Sequence, residues 1–325
     1  MFNALVIDKQ DEKQVVEIRQ LDESALPEEE VVIAVDYSSI NYKDGLAITG
    51  KGKIIRNFPM VPGIDLAGSV ISSKHPCYQA GDQVVLTGWG VGENHWGGLA
   101  EKASLKAEWL VPKPEGLTGK QAMMVGTAGF TAMLCVMALE SYGVTPDKGE
   151  ILVTGASGGV GSVAVTLLKQ LGYRVAAVTG RPENAELLTA LGATRIVPRS
   201  ELEGKGRPLD KQLWAGAIDT VGSQLLANVL SKIDYNGAVA ACGLAGGFDL
   251  PTTVMPFILR NVALLGVDSV MCPYEKRKAA WQRLSELLPA SYYAQACTEI
   301  SLEQVTEYAE KITLGQVTGR TLVKL

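Results

Sequence analysis

The sequence predicts an α/β chain in two parts, a compact barrel of short strands and a doubly wound parallel sheet. Three patterns predict it. Up to about residue 120, short β-branched runs alternate with glycine turns, as in a small barrel. From Pro114 onward, helical patterns alternate with apolar strands, which argues for parallel strands joined by right-handed crossovers. The third pattern is Ile151-Leu152-Val153-Thr154-Gly155-Ala156-Ser157-Gly158-Gly159-Val160-Gly161, a buried-strand run entering a glycine turn and then an apolar helical pattern that continues to Leu171.

Composition fits a globular chain with room for two cores: 325 residues, 47% hydrophobic and 20% charged. The net charge is -5 and no basic stripe marks a nucleic-acid surface. Cysteine is odd in number, 5, with no C-x-x-C pair, so a disulfide framework and a zinc knot are not expected. A reducing cytoplasmic location is expected. The first residues lack the basic start and apolar stretch of a signal peptide. Residues 121–139 carry no charge and approach membrane-spanning length, but Gly126, Thr127, Gly129 and Thr131 favour a buried helix over a membrane span.

In chain order, strands are expected near the N-terminus, at 31–37, in the stretch from Pro62 to Val70, and at 83–86 after the Gly81-Asp82 turn. A turn and a short helix are expected at 39–49, and a loop at 51–59. Further strands are expected at 174–178, 194–197, 214–221, 238–242 and 262–270, with helices at 184–191 and 225–233. Ser301-Leu302-Glu303-Gln304 fits a capping box opening a helix to about Thr313. The last strand, 319–325, is expected to return to the first domain, which is then discontinuous: 1–125 with 271–325, around a nucleotide domain at 126–270.

The glycine turn carries the clearest chemistry. A helix N-terminus offers unpaired N–H groups to a pyrophosphate, and glycine lets backbone meet phosphate. Ser157, Gly158, Gly159, Val160 and Gly161 are therefore candidate cofactor residues. Their spacing, Gly155-x-x-Gly158-x-x-Gly161, departs from the usual G-x-G-x-x-G, and a turn that binds nothing is the alternative. At the second strand tip, where an NAD site places an acid, stand Thr179, Gly180 and Arg181. A guanidinium suits a 2′-phosphate, and Arg199 adds a second, so NADPH is the expected cofactor. Leu244 and Ser269 follow the fifth and sixth strands and are candidates for lining the nicotinamide; ordinary loop roles are the alternative. The apolar run 262–267 is expected at a sheet edge, where a second copy can pair in a homodimer.

With Ser39-Ile40-Asn41-Tyr42-Lys43-Asp44, Ile48-Thr49-Gly50-Lys51-Gly52-Lys53 and the run from Leu86 to Glu101, the whole arrangement resembles the medium-chain dehydrogenase/reductase superfamily. Within it the chain is similar to the zinc-free quinone-oxidoreductase-like branch and its bacterial YhdH/YhfP group. The resemblance implies a GroES-like β-barrel catalytic domain joined to a Rossmann domain, and NADPH-dependent reduction of acrylyl-CoA. It also implies cofactor contacts at Tyr42, Ile258 and Arg320. In zinc alcohol dehydrogenases of this fold, ligands lie where Ile40-Asn41, Gly63-Ile64-Asp65 and Thr127-Ala128 stand here, and this chain has no Cys or His at those places. No metal is expected.

Without a Lewis acid, reduction of an activated C=C bond is better supported than alcohol oxidation. Tyr42 and Asn41 are the candidate catalytic residues, as hydrogen-bond donors to an enolate oxygen. Packing is the alternative for Tyr42. Trp89, Asn94, His95 and Trp96 form a loop that could close over substrate. Lys51, Lys53 and Arg56 could meet coenzyme A phosphates or simply be solvated. A quinone or alkenal reductase, and a nucleotide-binding protein without turnover, share the same glycine turn.

Overall fold

The computed structural model describes residues 1–325. The chain divides into two compact units: Met1–Thr127 with Ser269–Glu286 and Ala296–Leu325, and Ala128–Asp268 with Leu287–Gln295. The sequence places all of 271–325 in the first domain, whereas 287–295 clusters with the second unit.

The chain opens with β1 (Phe2–Gln10) and β2 (Lys13–Leu21), an antiparallel ribbon. Its two-residue turn, Asp11-Glu12, has both φ angles positive (48 and 65), the hairpin geometry that matches strand twist. The sequence reading missed β2 because its charged residues leave much of it exposed. There follow β3 (Val31–Ile40), α1 (Tyr42–Thr49), β4 (Asp65–Ser73), β5 (Gln83–Thr87), β6 (Lys102–Leu105), β7 (Val111–Pro112) and α2 (Gly119–Tyr142). The next segment alternates: β8 (Glu150–Val153), α3 (Gly159–Gln170), β9 (Arg174–Thr179), α4 (Ala185–Leu191), β10 (Arg195–Pro198), β11 (Trp214–Asp219), α5 (Ser223–Leu230), β12 (Ile233–Ala241), α6 (Met255–Arg260) and β13 (Ala263–Gly266). The tail holds α7 (Tyr274–Leu287), α8 (Ala290–Gln295), β14 (Cys297–Ser301), α9 (Val305–Thr313) and β15 (Arg320–Lys324).

In the first unit β3 organises the sheet. One edge pairs with β4 along most of its length; the other is shared, Val31–Ala34 with β6 and Tyr37–Ile40 with β15. Register shifts between Val35 and Tyr37 bend the strand where its partners change. The returning β15 thus joins the sheet beside β3, as expected, and Ser301 with Gln304 forms the expected capping box before α9. Val31, Ile33, Leu66, Val84 and Leu105 build one core; Leu5, Ile40, Ile48, Val305 and Val323 build another.

In the second unit six strands lie in the order β10-β9-β8-β11-β12-β13, all parallel. The order reverses between β8 and β11, the switch point at which such sheets bind ligands beyond their carboxyl ends. The long apolar helix α2 passes the length and hydropathy test for a membrane span, yet 83% of that apolar window is buried within the protein.

Three boundaries differ from expectation. The helix expected at 225–233 stops at Leu230, and Ile233 already begins β12. The strand expected to reach Val221 ends at Asp219, whose side chain accepts the Gly222 N–H (2.8 Å). The sixth strand runs only from Ala263 to Gly266, because the carbonyls of Ser269 and Val270 are taken by the Arg277 side chain (3.3 and 3.2 Å) instead of a ladder.

Candidate functional site

In the second unit β8 ends at Val153, and Gly155 takes a left-handed φ of 56. Gly158 is the N-cap of α3, with no side-chain cap, so the first-turn N–H groups stay open to an anion. A Cβ on Gly161 would lie 2.6 Å from the Ala156 Cα, which makes glycine a packing requirement there. The observed spacing is therefore explained: Gly155 makes the turn, Gly158 opens the helix, and Gly161 lets helix and strand close up.

The tip of β9 lies against this turn. Arg181 donates from Nη2 to the Ser157 hydroxyl (3.1 Å), and the Thr179 hydroxyl accepts the Arg181 N–H (3.0 Å). A Cβ on Gly180 would be 3.3 Å from the Arg199 Cδ, so the bare glycine leaves room for the Arg199 side chain. Arg199 also pairs with Glu203 (3.0 Å) in an exposed bridge. Ser157, Gly158, Gly159, Val160, Gly161, Thr179, Gly180, Arg181 and Arg199 thus form one neighbourhood with two guanidinium groups and no carboxylate at the strand tip. Such a donor set fits a dinucleotide bearing a 2′-phosphate. A cleft of about 120 Å³ beside Arg199 is lined by Leu202, Val221, Gly222 and Leu225. Leu244 and Ile258 are exposed apolar side chains in the same unit.

Sequence reasoning missed Asp219. Its carboxylate, pushed above its ordinary pKa by burial, accepts from the Thr154 hydroxyl (2.7 Å) and so ties the ends of β8 and β11 under the glycine turn.

In the first unit a buried network sits at the start of α1. Asp65 accepts from the Ser39 N–H (3.0 Å), the Ser39 hydroxyl (2.8 Å), the Asn41 amide (2.9 Å) and the Thr127 N–H (2.8 Å). Arg320 donates to Asn41 Oδ1 (3.0 Å), to the Ser39 hydroxyl (2.5 Å) and to the Met124 carbonyl (3.3 Å), and lies 3.8 Å from Asp65. Gly126 breaks α2 beside it (φ 52, ψ -161); a Cβ there would lie 2.7 Å from Asp65 Oδ2. Asp44 accepts the N–H groups of Asn41 (2.9 Å) and Ile64 (3.0 Å). Burial, and then the Asp65 charge, push the Asp44 carboxyl up to about 7.

This network bears on two expectations. Asn41, expected as a catalytic amide donor, is buried, with its amide nitrogen on Asp65 and its oxygen accepting from Arg320. Arg320, expected among the cofactor contacts, is 2% exposed and its guanidinium faces protein groups. Tyr42, by contrast, is 41% exposed and its hydroxyl makes no hydrogen bond within the protein.

The loop after β5 is tied to the chain between β4 and the cis-proline loop. Gly97, Gly98 and Leu99 donate backbone hydrogen bonds to Val61, Gly63 and Pro62, and Val91 and Leu99 are fully buried. His95 packs edge-on against Trp109 (5.1 Å), with Nδ1 2.9 Å from the Trp96 carbonyl. Of the expected basic cluster, Lys51, Lys53 and Arg56 are all exposed, and Lys51 pairs with Glu310 (2.6 Å).

A zinc ion does not fit this donor set. No three His, Cys, Asp or Glu side chains converge to hold a metal, and Asp65 is already surrounded by four donors.

Known proteins resemble the chain over its whole length. The family described as alcohol dehydrogenase GroES-like domain matches residues 27–115, and that described as zinc-binding dehydrogenase matches 159–286. The probable acrylyl-CoA reductase AcuI of Escherichia coli strain K12 is 63% identical over 324 residues, covering 100% of both chains. The acrylyl-CoA reductase AcuI of Ruegeria pomeroyi is 55% identical, covering 99% of both. Among solved structures, the yhdH oxidoreductase of Salmonella enterica in complex with NADP superposes with a TM-score of 0.98 at 61% identity, covering 99% of both chains.

Proposed function

The chain belongs to the quinone-oxidoreductase-like branch of the medium-chain dehydrogenase/reductase superfamily, and from that membership we propose that it is an NADPH-dependent acrylyl-CoA reductase. The observation that carries the cofactor half is the Arg181 guanidinium seated on Ser157, with Arg199 alongside Gly180 and no acid at the β9 tip. The open first turn of α3 would hold the pyrophosphate, and the two guanidinium groups the 2′-phosphate. Leu244, Ile258 and Ser269 are assigned to the nicotinamide end.

When bound at this site, NADPH would supply a hydride, with its electron pair, to the β-carbon of the thioester. The displaced π electrons move to the thioester oxygen as an enolate, and a proton then adds at the α-carbon to give propionyl-CoA. The Tyr42 hydroxyl donates to the enolate oxygen. Asn41, held by Asp65 and Arg320, fixes the helix start that carries Tyr42. Water or Tyr42 delivers the proton, so no metal is required.

The deciding experiment is a substrate panel. Acrylyl-CoA with NADPH should show the highest kcat/KM, above quinones and alkenals and above acrylyl-CoA with NADH. Dominant quinone or alkenal turnover would replace the thioester assignment, and no turnover with any of them would leave a nucleotide-binding protein. We also assign a cytoplasmic location, which an odd number of cysteines with no C-x-x-C pair supports. A homodimer through β13 is supported by its place at the sheet edge. A monomer by light scattering at micromolar concentration would remove that assembly.

A further inference from the structure

Arg277, on the first turn of α7, is fully buried, and its side chain is among the largest so enclosed. A buried guanidinium is always charged and is tolerated only where acceptors surround it. Here the acceptors lie on two separate stretches of chain. Nη1 donates to the Thr87 carbonyl (2.5 Å) and the Thr87 hydroxyl (2.7 Å), at the end of β5. Nη2 donates to the carbonyls of Ser269 and Val270 (3.3 and 3.2 Å). The guanidinium also stacks on Trp89, 4.8 Å from the ring centre.

The neighbouring backbone is shaped around the same clasp. Trp89 has a φ of 60 and donates its N–H to the Val270 carbonyl (3.1 Å). Gly88 has a φ of 82, and a Cβ there would lie 2.8 Å from the Val270 carbonyl oxygen. Ser269 is where the chain re-enters the first unit after the parallel sheet. Thr87 is paired in register with Asp65, which holds Thr127, the residue where the chain first leaves that unit. The two residues of one rung, Thr87 and Asp65, therefore grip the two ends of the excursion.

We propose that Arg277 is a positioning residue for the nicotinamide end of the cofactor site, fixing the backbone of Ser269 against Thr87 and Trp89. The proposal rests on the assignment of Ser269 above. Lysine cannot replace arginine here, because one ammonium point cannot span acceptors on two segments.

The test compares Arg277→Lys and Thr87→Val with wild type by calorimetric titration with NADPH and with 2′,5′-ADP, which has the 2′-phosphate but no nicotinamide. Arg277→Lys should weaken NADPH about tenfold, the scale of one lost hydrogen bond to a charged group, and leave 2′,5′-ADP unchanged. Thr87→Val should move in the same direction by a smaller factor. Equal weakening of both ligands means general structural damage and overturns the proposal, as does NADPH binding like wild type. If Arg277→Lys does not fold, Thr87→Val decides alone by the same split. The readout is binding, so failure of acrylyl-CoA to react would count against the substrate assignment and leave this test standing.

Discussion

Two helix starts in this chain do opposite things with the same backbone physics. Helix α3 begins bare: glycine at its N-cap, no side-chain cap, and N–H groups open to a phosphate. Helix α1 begins closed, with Asn41, Asp44, Asp65 and Arg320 hydrogen-bonded to one another around its N-terminus. One end is kept empty for a ligand, and the other is filled so that the Tyr42 beside it stays in place. An open helix end is a binding device, whereas a saturated one is a mounting.

The largest expected effect attacks the mounting. Asp65→Ala leaves Arg320 buried without its carboxylate, and breaking a buried pair by removing one partner typically costs about 3–5 kcal/mol. Urea unfolding should show a loss on that scale. A loss below 1 kcal/mol would mean that the network is not what holds α1.

Next is the residue the mounting carries. Tyr42→Phe removes the exposed hydroxyl assigned to the enolate oxygen, and a lost oxyanion donor costs about a hundred- to a thousandfold in turnover. NADPH affinity should hardly change, because the phosphate contacts lie on the second unit. Wild-type turnover in the variant would move the donor role elsewhere.

At the bare end, Arg181→Ala should weaken NADPH about ten- to a hundredfold while NADH, lacking the 2′-phosphate, is little affected. Equal losses for the two cofactors, measured by fluorescence titration, would detach Arg181 from the 2′-phosphate.

The two ends were not equally legible in the sequence. The bare one is local: Gly155, Gly158, Gly161 and the β9 tip are read from spacing, and alternating helices and strands place them on a parallel sheet. The closed one is assembled from residues 39, 41, 44, 65, 127 and 320, whose proximity only the fold creates. Resemblance pointed to Asn41 and Arg320, but not to their mutual hydrogen bond. Arg277 and Asp219 carried no signal, since an arginine on a polar helix and an aspartate at a strand end look solvated until their acceptors and donors are known. The strand β2 escaped for the converse reason: its charged face hides the alternation that marks a buried strand.

The smallest expected effect separates the two ends by pH. Burial and the neighbouring Asp65 hold the Asp44 carboxyl at about 7, against 3.8 for the unperturbed group. Between those values the folded chain keeps a proton that the unfolded chain has released. The stability this group contributes is therefore fully present below pH 3.8 and is lost as pH rises through 7. The slope within that window approaches about 1.4 kcal/mol per pH unit, so roughly 1 kcal/mol should disappear between pH 6 and 7. Asp219, also raised by burial, adds to stability loss in the same direction, so the wild type alone does not isolate Asp44. Asp44→Asn does, because it removes one titration and leaves the other. Asparagine cannot accept with both ends, so the variant should be less stable than wild type at pH 6, and the gap should narrow by pH 7. A gap that stays constant across that interval would show that Asp44 does not titrate there, and that the closed end of α1 carries its charge unchanged.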